Sequence, residues 1–151
     1  MGPNEAYARE HRGLPPLFLE RLAPFFAFDL LACVQVYVLP ESWLDVAQSV
    51  GFSGHGAMTL WNTITCYSGM LDDQDGAWNI LTPRGAGNWA HEVRHVQQWH
   101  EHPGVVLWQY VKGLATSWRH GGFYLHQYFP YEQEAIAYGD YVRRTLATPS
   151  P

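Results

Sequence analysis

The sequence predicts an α+β fold, because segments typical of strands come before segments typical of helices. The strand-like segments are rich in β-branched and aromatic residues, and the later helical patterns begin near prolines. The 151 residues, 47% of them hydrophobic, are enough for one core and too few for two comfortable domains. We therefore predict a single domain over residues 1–151, with a short antiparallel or mixed sheet and loose ends at 1–12 and 147–151.

The first half of the chain predicts two short helices and three strands. Prolines open a helix in PPLFLERLAPFF, and Gly51 ends another in ESWLDVAQSVGF. Strands are indicated in FDLLACVQVYVL from Cys33 onward, in AMTLWNTITCY and in AWNIL. The polar stretch DDQDG before the last of these is typical of a turn.

Three longer helices are predicted in the second half. After a loop at PRGAGN, Asn88 is a suitable N-cap for a helix that runs to about His102. A second helix restarts at Pro103, and Pro130 opens the last one, which has acids in its first turn and arginines near its end. The apolar stripe of the second helix is interpreted as core, with a hydrophobic substrate or membrane contact as the alternative; its residues are Leu107, Tyr110, Val111, Leu114 and Trp118.

Composition excludes several classes of protein. A net charge of −5 without a basic stripe argues against nucleic acid as a partner. The most apolar stretch, Pro24 to Pro40, contains Asp29 and is too short for a transmembrane segment. The N-terminal residues lack a signal-peptide pattern, so a cytoplasmic location is the default, and export by a route without a signal peptide stays open. Cys33 and Cys66 are interpreted as small buried hydrophobes, with a disulfide as the alternative.

The stretch NWAHEVRHVQQWHEH, from Asn88 to His102, contains four histidines and two glutamates. His91 and His95 are four residues apart, so on a helix both imidazoles can reach one metal ion from the same side. Glu92 lies beside that direction, which completes the H-E-x-x-H pattern of zinc peptidases. In that pattern the histidines bind Zn²⁺ and the glutamate accepts a proton from the attacking water.

A solvated helix face rich in histidine is the competing interpretation of this stretch. Trp89, Val93 and Val96 form a separate apolar face, and Gln98 falls on the histidine face one turn further along. Both interpretations accommodate that pattern. A third ligand is therefore the feature that decides between them, since a catalytic zinc site needs three protein ligands and an open position.

Two glutamates in the last helix are candidates for the third ligand. Glu132 shares one helical face with small and apolar residues, namely Ala135, Ile136, Gly139, Val142 and Leu146. A carboxylate on an apolar stripe is costly unless it is paired or binds a metal. Glu134 points the other way and is the alternative ligand; if both fail, His102 and His126 come next. The competing interpretation of Glu132 is a first-turn acid that water and the helix dipole satisfy.

The motifs HEVRH and YEQEA together resemble the gluzincins, zinc peptidases in which a glutamate from a later helix completes the H-E-x-x-H site. More closely, the chain is similar to a family of small bacterial metallopeptidase domains, some of them encoded beside contractile injection systems. That family carries a T-x-x-N-x-I strand before an H-E-x-x-H-x-x-Q-Q helix. The matching residues are Thr59, Asn62, Ile64, His91, Glu92, His95, Gln97 and Gln98. The resemblance covers about Phe28 to Arg144.

The resemblance implies a small zincin-like domain that hydrolyses peptide bonds in a peptide or protein substrate, with Zn²⁺ as cofactor. It implies His91, His95 and Glu132 as the zinc ligands and Glu92 as the general base. Many relatives have Asp or Asn four residues after the glutamate ligand, where this chain has Ile136. Support for a metal-binding histidine is therefore expected from Gln98 or a backbone carbonyl.

Three questions stay open at this point. The candidates for the donor that stabilises the oxyanion are Tyr131, Tyr138, His120 and His126, and a structural role is the alternative for each of them. The AMTLWNTITCY strand either holds an extended substrate at its edge or is ordinary core. The alternative function is a latent or inactive zinc-binding module that acts as an effector or adaptor through protein–protein contacts. Nothing in the sequence indicates an oligomeric state.

Overall fold

The structure is a computed structural model that describes residues 1–40, 57–120 and 130–148. Six α-helices and three strands lie within these ranges, so the α+β prediction is confirmed. In chain order they are α1 (Pro3–His11), α2 (Pro16–Leu22), α3 (Phe28–Cys33), β1 (Gln35–Leu39), β2 (Met58–Leu60), β3 (Thr63–Tyr67), α4 (Pro83–Glu101), α5 (Pro103–His120) and α6 (Pro130–Ala147), with a short 3₁₀ helix at Met70–Asp72. The helix predicted in ESWLDVAQSVGF lies outside the described residues.

The three strands form one mixed sheet in the order β1-β3-β2. β1 is parallel to β3, and β2 is antiparallel to β3. Within the described part of the chain, β2 is therefore an edge strand, and it lies beside α4. Side chains of β1 and β3 alternate between buried and more exposed positions, and Val36, Val38 and Ile64 contribute to the core.

Two strand predictions need correction. The AMTLWNTITCY segment is a hairpin of β2 and β3, because the chain turns at Trp61, which adopts a left-handed backbone conformation with φ of 55°. The AWNIL segment is a turn and not a strand. There the Asp73 carboxylate accepts hydrogen bonds from the amides of Gly76 and Trp78 and folds the backbone back on itself. The strand predicted from Cys33 onward is confirmed at Gln35–Leu39, after the helix α3.

The N-terminal residues are helical and anchored, so the prediction of a loose 1–12 segment is wrong. The Asp72 carboxylate accepts hydrogen bonds from the amides of Asn4 and Glu5, at 3.0 and 2.9 Å, and so caps the N-terminus of α1. The Asn4 side chain also donates to the Leu71 carbonyl. This capping is supplied by a residue far along the chain, which no local pattern in the first twelve residues reveals.

A buried carboxylate holds the other side of α1. Glu5 is 2% exposed, and its carboxylate accepts hydrogen bonds from Arg9, from the Ser68 hydroxyl and from the Gly69 amide. Burial opposes the charged form of Glu5, but these donors outweigh burial and lower its pKa below the ordinary value. The ionised carboxylate therefore joins α1 to the end of β3.

Helix α4 begins six residues before the predicted position. Thr82 is its N-cap, because the Thr82 hydroxyl accepts a hydrogen bond from the Gly85 amide at 3.0 Å and Pro83 occupies the first turn. The predicted loop PRGAGN is thus helical. Asn88, the predicted cap, lies inside the helix and donates its side-chain amide to the Ala77 carbonyl. The predicted end near His102 and the restart at Pro103 are confirmed.

Helices α4 and α6 pack closely because glycines face each other across their contact. A Cβ atom added to Gly139 would lie 2.7 Å from the Gly87 carbonyl oxygen and 3.3 Å from the His91 Cβ. Ala135 and Val142 are fully buried on the same face of α6, as the sequence indicated. This contact sets the distance between the histidine-bearing helix and the glutamate-bearing helix.

The predicted core stripe of α5 is wrong for two of its members. Leu107 and Val111 are 51% and 49% exposed, and it is Val106 that is buried. The side chains of Leu114 and Trp118 lie outside the described residues, and the described part of α5 is turned from the orientation that periodicity suggested. In the described part of the chain no helix combines the length and apolar character needed to cross a bilayer.

Both cysteines are free thiols. Cys66 is 1% exposed in the core, as predicted, and its burial, together with the carboxylates of Glu5 and Glu92, raises its pKa to about 12. Cys33 is partly buried and donates to the Leu30 carbonyl. The alternative of a disulfide between them is wrong.

Candidate metal centre

Three side chains from two helices converge at one point. The Nε2 atoms of His91 and His95 are 3.1 Å apart. The Glu132 carboxylate on α6 places Oε1 3.3 Å from His91 Nε2 and Oε2 3.1 Å from His95 Nε2. Their side chains are 21%, 13% and 12% exposed, so the cluster is mostly enclosed but still open to solvent. These three residues form a group that can hold a metal ion.

The chemistry of this donor set suits a divalent metal ion, and zinc provides the reference geometry. In a tetrahedral site with bonds of about 2.0–2.2 Å, ligand atoms lie about 3.3–3.6 Å from one another. The two imidazole nitrogens, 3.1 Å apart, are close to that spacing, and each of them has a different Glu132 oxygen within 3.1–3.3 Å. Two imidazole nitrogens that face each other this closely require a proton or a cation between them. Two histidines and one carboxylate also match the catalytic zinc sites that keep a fourth position open.

A buried glutamine orients His95. The His95 Nδ1 atom lies 2.8 Å from Gln98 Oε1, and because the amide oxygen is only an acceptor, Nδ1 carries the proton. Nε2 then keeps its lone pair for a metal. Gln98 is 1% exposed and donates its own amide to the Tyr131 carbonyl at 2.8 Å, next to Glu132. Gln98 thus links α4 and α6 at the site and contacts His95, as the sequence indicated.

The charges around His95 favour a cation at this point. Burial alone would lower the pKa of His95, but the Glu132 and Glu92 carboxylates and the hydrogen bond to Gln98 outweigh burial and raise it. The same negative charges attract a divalent ion, which competes with the proton for Nε2.

We expect Gln98→Leu to weaken the binding of a metal ion at this site by about tenfold, the lower end of the range for partners that orient a ligand. The leucine fills similar space but leaves His95 without an acceptor, so the imidazole loses its fixed tautomer and orientation. Gln97→Leu is the matched control, because within the described ranges the Gln97 side chain bonds Glu101 on its own helix and not a member of the site. Competition titration with a chromophoric chelator measures both affinities, and equal affinities for the two variants would contradict this role.

Glu92 lies beside the three converging residues and is not one of them. Its side chain points toward strand β2, where the Thr59 hydroxyl donates to Oε2 at 2.6 Å and also contacts the Glu92 carbonyl at 3.3 Å. Glu92 is 5% exposed. The position agrees with a residue that acts next to a metal without binding it.

Glu134, the alternative third ligand, is engaged elsewhere. Its carboxylate pairs with the Arg94 guanidinium, and its side chain is 43% exposed. The Arg94 guanidinium also lies over the Tyr138 ring, 5.5 Å from its centroid. The structure therefore brings Glu132 to the histidines and leaves Glu134 on the outer side of α6.

The structure places the candidate oxyanion donors in different surroundings. Tyr138 donates its hydroxyl to the Phe25 carbonyl and packs against the Phe26 ring, so the structure does not bring it to the histidines. Tyr131 contributes its backbone carbonyl to Gln98, and its ring stacks on His102 with centroids 6.0 Å apart. The His120 side chain and His126 lie outside the described part of the chain.

Two residues near the site were missed as functional candidates. Tyr110 on α5 donates its hydroxyl to the Thr59 carbonyl at 3.3 Å. Burial raises the pKa of Tyr110 to about 12, and the carboxylates of Glu92 and Glu132 add to the effect. In the sequence, periodicity assigned Tyr110 to a core stripe, and Thr59 was noted only as a member of the T-x-x-N-x-I motif. No signal within one helix shows which of its faces meets a neighbouring strand.

Comparison of the chain with protein-family models, curated proteins and solved structures finds no match. The resemblance to zinc peptidases therefore depends on the motif and on the geometry around it.

Proposed function

We propose that this protein is a zinc-dependent metallopeptidase. The observation that carries the proposal is the convergence of His91, His95 and Glu132 with separations of 3.1–3.3 Å, with Glu92 beside them. Those three residues would hold the ion. Bound zinc supplies a Lewis acid that lowers the pKa of water to about 7 and polarises a carbonyl.

In this proposal Glu92 is the general base. Its Oε2 atom is held by Thr59, and among the described residues no hydrogen-bond donor contacts Oε1. Oε1 is therefore the oxygen that accepts the proton of the attacking water and delivers it to the leaving amine. Gln98 keeps His95 in the tautomer that binds the metal through Nε2. A peptide or protein is the substrate class that this chemistry implies.

The first test is metal analysis of protein purified without added metal. We expect one zinc per chain, and we expect none in the His91→Ala/His95→Ala variant. The control is His11→Ala/His100→Ala, which removes two exposed histidines that do not belong to the group of His91, His95 and Glu132. Absence of zinc from the wild type, or zinc retained by the first variant, would contradict the proposed site.

The second test is digestion of a reduced, alkylated and unfolded protein by the zinc-loaded chain. We expect cleavage that a chelator stops and added zinc restores. One zinc per chain without any cleavage would instead favour the alternative, a zinc-binding module that acts through protein–protein contacts.

A further inference from the structure

We propose that Thr59 is a positioning residue that holds the Glu92 carboxylate in place. Tyr110 donates a hydrogen bond to the Thr59 carbonyl and so links Thr59 to helix α5. This inference rests on the proposed function and concerns how the same site is controlled.

The hydroxyl of Thr59 is the only hydrogen-bond donor to the Glu92 carboxylate among the residues that the structure describes. Its distance of 2.6 Å to Oε2 is typical of a bond between a hydroxyl and an ionised carboxylate, which is about twice as strong as a neutral one. A glutamate side chain has several rotatable bonds, and a catalytic base must be held within about 0.5 Å of its working position. Thr59 supplies that restraint at one oxygen and leaves the other free to react.

The backbone of Thr59 is itself fixed. Thr59 is the central residue of the edge strand β2 and pairs with Ile64 on the central strand β3. Thr59 is 2% exposed. A β-branched side chain in a strand has little freedom at χ1, so the hydroxyl has a defined direction. The hydroxyl also lies 3.3 Å from the Glu92 carbonyl, but a carbonyl in the middle of a helix already accepts an amide one turn later. The carboxylate is therefore the acceptor that depends on Thr59.

Tyr110 extends this restraint to α5. Its hydroxyl donates to the Thr59 carbonyl, and its ring stacks on Trp99 of α4, with centroids 5.6 Å apart. Trp99 in turn stacks on Trp61, in the turn that follows β2. Strand β2 is thus held by contacts from α5 at Thr59 and from α4 at the hairpin turn. A shift of α5 would be transmitted through Tyr110 and Thr59 to the Glu92 carboxylate.

A double-mutant cycle in metal-free protein tests the contact without reference to activity. Thr59→Val removes the hydroxyl and keeps the shape, whereas Glu92→Met removes the carboxylate. We expect Thr59→Val to lower the midpoint of denaturant unfolding in the wild type and to have no such effect in the Glu92→Met background. Equal decreases in both backgrounds would overturn the proposal.

Steady-state kinetics of the zinc-loaded protein are the second test of this proposal. We expect Thr59→Val to lower kcat by about tenfold or more at unchanged KM and zinc content, because a misplacement of about 1 Å can cost about 100-fold. Thr59→Ser should restore most of the rate, and Tyr110→Phe should lower kcat to a smaller extent. Thr63→Val is the control, because in the part of the chain that the structure describes its hydroxyl bonds the neighbouring Asn62 and not Glu92. Wild-type kcat in Thr59→Val would overturn the proposal.

The double-mutant cycle and the kinetics distinguish a failure of this inference from a failure of the proposed function. A wild-type protein that binds zinc and hydrolyses nothing contradicts the proposed function, while the double-mutant cycle still shows whether Thr59 restrains Glu92.

Discussion

Glu92→Gln is expected to keep the fold and one zinc per chain and to lose hydrolysis by about 10² to 10⁴-fold. The amide has the same shape as the carboxylate and still accepts a hydrogen bond from Thr59, but it cannot take a proton from water. Because Glu92 is absent from the group formed by His91, His95 and Glu132, the variant should keep its metal, and only the loss of one nearby negative charge should lower the affinity. Metal analysis and initial rates on the same sample measure both quantities.

Glu101→Gln is the matched control for this prediction. Glu101 lies at the end of the same helix, is exposed and bonds Gln97, so the same chemical change there should leave the rate unaffected. A Glu92→Gln variant that loses its zinc would make Glu92 a ligand, and a variant with full activity would remove it from the reaction. Either result would require a different base.

The parts of the site within one helix could be predicted from the sequence. The spacing of His91, His95 and Gln98 follows from 3.6 residues per turn, and the structure places all three on one face. The face of Glu132 followed from the small residues that share it, because Ala135 and Gly139 permit close approach to α4. Local periodicity and side-chain volume were sufficient for these positions.

The parts that join distant segments could not be predicted in the same way. Tyr138 was a candidate donor, but its hydroxyl meets the Phe25 carbonyl, a contact between residues 113 positions apart. Thr59 and Tyr110 are 51 positions apart, and their hydrogen bond joins α5 to β2 while Leu107 on α5 is exposed. The hairpin at Trp61 also lacked a signal, since a tryptophan with positive φ is unusual.

Glu132→Ala is expected to weaken zinc binding by at least about 100-fold, near 2.7 kcal/mol, whereas Glu134→Ala should leave it nearly unchanged. Loss of a partner that only orients a ligand typically costs about 10- to 100-fold, so loss of a ligand itself should cost at least the upper end of that range. The structure provides the contrast, because Glu132 lies 3.1 and 3.3 Å from the two imidazoles while Glu134 pairs with Arg94.

The two glutamates form a matched pair, since they lie two residues apart in the first turns of α6 and undergo the same substitution. Removing Glu134 breaks an exposed ion pair, which contributes little to stability, so that variant should also fold normally. Circular dichroism establishes that both variants keep their helices, and chelator competition then compares their affinities. A larger loss for Glu134→Ala would mean that α6 is rotated in the zinc-bound protein. Small and equal losses would mean that the third ligand comes from another residue, with His102 and His126 the next to substitute.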